Sequence, residues 1–222
     1  MRLRRAWLVA ERDLRAERAQ PDGIAAAIGL TATLVFVESL LVGPAIAAAS
    51  PAIASALLWI ALTLGAILAI TRSFDRELED DALEGVLALP GGADALYAGK
   101  VLAATLLLAV VSAAGIALTV LLLDIEVGLP AHLALVTLVG AVALPPLITL
   151  YVAISLRLRA RALVVPLLAV PALVPQLIAA SAGSAAAIQG DAAGSLAWCA
   201  LLFATALASA VAGLTIGPAA IE

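Results

Sequence analysis

The chain has 222 residues, 64% of them hydrophobic, with a mean hydropathy of +1.17 and a formal net charge of −4. A water-soluble domain of this length would be about 45–50% apolar, so that class is excluded. The acidic balance argues against nucleic acid as a partner, and a lone cysteine, Cys199, leaves no intramolecular disulfide to form.

Residues 1–22 are dense with charge and have no apolar stretch long enough for a cleavable signal peptide. Leu3, Trp7 and Leu14 recur near helical spacing with Ala10 among them, and charges fill the other faces. That pattern predicts an amphipathic helix lying in the membrane surface, with Trp7 at headgroup depth. Pro21 ends it, and Asp22-Gly23 turns the chain into its first apolar run.

Six runs follow that are long enough to cross a hydrocarbon core about 30 Å thick. They cover residues 24–42, 52–70, 101–123, 132–156, 162–181 and 195–217. None contains Lys or Arg, and only the first contains a carboxylate, Glu38. All twelve bases fall in residues 2–18, 72–100 and 157–161, and the segments 43–51, 124–131 and 182–194 have none. Retention of positive charge on the inner side therefore predicts cytoplasmic termini and short outer loops. The expected fold class is all-α: one polytopic membrane domain over residues 1–222. The spans are rich in Ala and Gly, as close helix packing in lipid requires. Pro145-Pro146 in the fourth span and Pro166, Pro171 and Pro175 in the fifth predict bent helices inside the bundle.

The segment 71–100 carries the most information. It holds seven acids against three bases. Phe74, Leu78 and Ala82 fall at i, i+4 and i+8, and Leu83 and Leu87 are again four apart, giving an apolar stripe flanked by acids. Asp80 or Asp81 would cap a second short helix that Pro90 ends. Acids do not favour an anionic lipid face, and such a stripe suits a groove on another protein.

Arg72-x-Phe74, Leu78-x-Asp80, Leu83-Glu84, Leu87-x-Leu89-Pro90 and Lys100 at the head of the third span resemble the signature of the cytochrome c maturation haem-exporter B family. The length and the six spans also match, so the resemblance covers the whole chain, and Asp81 stands where that signature carries Gly. These are permease subunits of ATP-binding-cassette complexes in the inner membrane. The resemblance implies a dimer, a separate ATPase subunit and a haem-handling membrane partner. It also makes residues 71–100 the coupling segment, with Arg72, Phe74, Leu78, Asp80, Leu83, Glu84, Leu87 and Pro90 at the docking surface.

The chain has no Gly-rich loop followed by Lys and Ser or Thr, so ATP is expected on the partner. No nucleophile–base–acid set is present, and a non-catalytic subunit is expected. His132 is the one imidazole and reads as a solvated or hydrogen-bonded residue at the outer face rather than a haem ligand, and Met1, the one thioether, lies outside the bundle. The resemblance implies that haem is held by the membrane partner. Glu38, near the outer end of the first span, is a functional candidate by its depth. A hydrogen bond to His132 would satisfy it if spans one and four are neighbours. Two rival readings are a permease for another cargo, such as a drug, lipid or polysaccharide, and an ion-coupled secondary transporter. The latter calls for midplane charge or an internal repeat.

Overall fold

The apolar runs form long helices in the computed structural model, which describes residues 2–79, 82–156, 158 and 161–221. The elements are α1 (Arg2–Ala19), α2 (Asp22–Ala49), α3 (Pro51–Glu79), α4 (Ala82–Leu87), α5 (Gly92–Leu122), α6 (Pro130–Ser155), α7 (Arg161–Gln189) and α8 (Ala192–Ile221). Among the described residues, α2, α3, α5, α6, α7 and α8 are long and apolar enough to cross a membrane. No strand occurs among them. The protein is an all-α polytopic membrane protein.

The apolar windows mark these spans but not their ends. Instead of stopping near residue 42, α2 breaks at Gly43 (φ 66°, ψ 166°) and resumes as a helical segment to Ala49. Glycine tolerates that left-handed backbone, and Pro44 then suits the first turn of the resumed helix. The outer segment expected over residues 182–194 shrinks likewise, because α7 runs on to Gln189 through the helix-favouring run Ala185-Ala186-Ala187. The turn that remains has Gly190 at φ 81°, and the Asp191 carboxylate accepts the Gly194 N–H of α8 at 2.9 Å.

α3 and α6 are the two most buried spans. α6 was expected inside the bundle, and Pro145 and Pro146 are both buried there. α7 was expected beside it, but its Pro171 and Pro175 lie on an exposed face, and α3 takes the second central place. The core joins Trp59 and Leu62 of α3, Leu144 and Ile148 of α6, Leu173 of α7 and Leu202 of α8. Trp59 is fully buried and donates its indole N–H to Ser184 Oγ at 2.9 Å. Its ring lies against Gly140 of α6 so closely that a Cβ there would overlap it. Gly140→Val is therefore expected to expel Trp59, costing about 3–5 kcal/mol as loss of a buried large aromatic does. A red-shifted Trp emission and a lower melting temperature in detergent check it.

Candidate functional site

The charged end of the bundle is built on two helix extensions. α3 continues nine residues past the apolar window to Glu79, because Thr71 to Glu79 contains no Gly or Pro to stop it. α5 starts at Gly92, eight residues before Lys100, the chain's one lysine. Between them, α4 packs against both. The corner from α4 to α5 turns at Gly91, at φ 70°. At Gly92 a Cβ would overlap the carbonyl oxygen of Val86, so only glycine lets α4 fold this closely onto α5.

α1 lies along this end, mainly against α5. Its inward stripe is Ala6, Ala10, Asp13 and Glu17, all buried and spaced at i, i+4, i+7 and i+11. Ala10 therefore belongs to the bundle-facing stripe rather than to the face shared by Trp7 and Leu14. The small residues admit a close approach: a Cβ on Gly99 of α5 would sit 2.8 Å from the Ala6 carbonyl oxygen.

The acids of that stripe enter a buried charge network. Lys100 Nζ, only 3% exposed, lies 2.8 Å from Asp13 Oδ2 and 2.9 Å from Glu77 Oε1. It also donates to the Ser73 carbonyl oxygen and to Ser73 Oγ, each at 2.9 Å. Its ammonium stands 5.3 Å from the centre of the Phe74 ring, within cation–π range. Arg12 bridges Asp13 and Glu77 from the more exposed side. Glu17 pairs with Arg76 of α3 and accepts the backbone N–H of Ile24, in the first turn of α2. A carboxylate there complements the positive end of the helix. Residues of α1, α3 and α5 thus share one polar cluster at the head of the spans, and α2 is tied to it by its N-terminus. One more bond reaches the corner: Arg5 of α1 donates to the Pro90 carbonyl oxygen at 2.6 Å.

The residues singled out for docking are placed unequally. Phe74 is 1% exposed and packs in the core, so in this conformation it is a packing residue and presents no docking surface. Of the expected stripe, Phe74 and Leu78 share the extension of α3, which turns Phe74 onto the chain's own bundle, whereas Ala82 falls in α4. Arg72 is exposed and Leu78 half-buried. Leu87 is half-buried against the cluster of Leu96 and Tyr97, and Pro90 is exposed. Leu83 and Glu84 lie in α4, their side chains outside the description, and Asp80 and Asp81 lie outside the described residues altogether. Gly85, Ala88 and Leu89 are exposed, Leu89 at 61%, and they add an apolar patch that the stripe alone did not single out.

Glu38 and His132 are not brought together. α2 and α6 are not packing neighbours, and no hydrogen bond joins the two side chains. α2 packs on α3 and α5 instead, leaving Glu38 partly exposed on a helix that is mostly uncovered.

The part of the site that sequence reasoning missed is the network itself. Its signals are present in retrospect: two small residues and two acids at helical spacing on α1, and one lysine at the start of an apolar run.

Among curated proteins, none matches the chain. The family described as CcmB protein matches residues 4–222. With essentially the whole chain covered, this protein belongs to the CcmB family, the non-catalytic membrane component of the ATP-binding-cassette system that exports haem in cytochrome c maturation.

Proposed function

We propose that this chain is the mechanical half of that system: it receives the stroke of a separate ATPase subunit at α4 and passes it to the spans. The observation that supports the reading is the linkage at the charged end. A push on the α4–α5 corner acts on α5 directly through the close contact at Gly92, and on α1 through Arg5. From α1 it reaches α3 and α5 through Lys100, Asp13 and Glu77, and the head of α2 through Glu17. A buried, mutually paired cluster of this kind moves as a unit, because separating its members would strand charge away from water.

In this reading the charged end is cytoplasmic, since nine of the chain's twelve bases belong to α1, the end of α3 and the start of α5. α1 lies in the inner-membrane interface with Trp7, 53% exposed, at headgroup depth. Docking uses Arg72, Leu83, Glu84, Leu87, Pro90 and the exposed Leu89, with Asp80 as an acid facing bases on the ATPase. Two copies pair and bind two ATPase subunits, ATP stays on those subunits, and haem is handled by a further membrane partner. The stroke moves haem or releases a haem-loaded chaperone. Copurification from mild detergent tests the reading: an ATPase chain and a haem-binding membrane protein are the expected companions. An intact chain that purifies with neither contradicts it.

A further inference from the structure

We infer that one flank of α1 is a binding site for anionic lipid headgroups, formed by Arg4 and Arg18 on either side of Trp7 and Leu14. The inference rests on the reading of α1 as an interfacial helix, and adds to it a lipid chemistry.

Folding sorts the charges of α1. The helix carries six arginines and three acids. Asp13 and Glu17 turn inward into the network, and Glu11 pairs with Arg15 one turn away. Two arginines are spent on the protein: Arg12 on Glu77 and Arg5 on the Pro90 carbonyl. At 3.6 residues per turn, positions 4, 7, 14 and 18 share a sector about 80° wide that also holds Glu11, already paired with Arg15, and positions 5 and 12 project well away from it. Arg4, Trp7 and Arg18 are exposed, and Leu14 is half-buried. Among the described residues, no carboxylate pairs with Arg4 or Arg18. The result is a flank on which Trp7 and Leu14 lie beside the mutually paired Glu11 and Arg15, with Arg4 and Arg18 at its ends as two guanidinium groups that no carboxylate neutralises, on a chain whose net charge is −4. A guanidinium presents a rigid fork of donors that matches a phosphate, and a basic group next to an interfacial aromatic favours anionic over zwitterionic lipid. The whole-chain charge opposes that preference, so it has to be local to this flank.

The test uses the full chain reconstituted in phosphatidylcholine vesicles. A small, equal mole fraction of brominated phosphatidylglycerol or brominated phosphatidylcholine is added as quencher. The Trp7 share of emission is taken as the difference from Trp7→Phe. Brominated phosphatidylglycerol should quench that share about twofold more strongly than brominated phosphatidylcholine, as enrichment by basic groups at the surface requires. In the double variant Arg4→Gln, Arg18→Gln the excess should vanish, with quenching by phosphatidylcholine unchanged because neither side chain supports the fold. Equal quenching of the unaltered chain by the two lipids overturns the lipid preference and leaves α1 at the interface. Absence of Trp7 quenching by either lipid overturns the interfacial placement, and the preference with it.

Discussion

Lys100→Met is expected to destabilise the protein by about 3–5 kcal/mol, the range for removing one partner of a buried ion pair. Lys100 is buried beside two carboxylates that are themselves nearly buried, Asp13 and Glu77. Methionine fills a similar volume but leaves Asp13 with Arg12 and the Ser73 hydroxyl, both weaker partners at 3.1 and 3.3 Å. Glu77 keeps Arg12. The unpaired charge therefore falls mainly on Asp13, and α1 should detach before the spans separate. A lowered melting temperature in detergent, with proteolysis at α1 appearing first, checks this. Adding Asp13→Asn to Lys100→Met should restore part of the loss, because it removes the stranded charge. If the double variant is less stable than the single one, the cluster is not held together by this pairing.

Leu83→Asp is expected to abolish ATPase copurification while the six spans still insert. Leu83 lies in α4, whose neighbours Gly85, Ala88 and Leu89 are exposed, so an apolar groove on the partner is the proposed setting of its side chain. A carboxylate buried there without a partner costs at least several kcal/mol, and about 4 kcal/mol already lowers an affinity by roughly a thousandfold. The insertion of α3 and α5 does not depend on this position, since their apolar windows lie elsewhere. The measurement is the yield of ATPase recovered with the tagged chain, and loss of cytochrome c maturation should accompany it. Undiminished recovery would mean that α4 is not the docking element.

The six spans were legible because a membrane-thick apolar window is a property of local composition, and Lys and Arg are absent from every window. The ends were not legible. Helical hydrogen bonding continues into polar sequence wherever nothing stops it, as from Thr71 to Glu79. That continuation explains Phe74: a periodic stripe says which residues share a face, not whether the face meets the chain's own core or another protein. The charge network was invisible for a related reason. Lys100 meets residues 87 and 23 positions away, and helical periodicity carries no information at those separations. Asp13 and Glu17 read as ordinary solvated charges of an amphipathic helix until α5 was seen to lie beside them. The Glu38–His132 pairing failed on adjacency, which neither hydropathy nor spacing encodes.

The coupling role of α4 is tested most directly by cross-linking from Gly85. This residue is exposed, and a Cβ built on it meets nothing within 4 Å, so cysteine is accommodated there. In a Cys199→Ser background, a photoreactive maleimide placed at Gly85→Cys should give a covalent adduct with the ATPase subunit in native membranes, and its yield should depend on nucleotide. Adducts with lipid or with another membrane protein, and none with an ATPase, would contradict α4 as the element that receives the stroke.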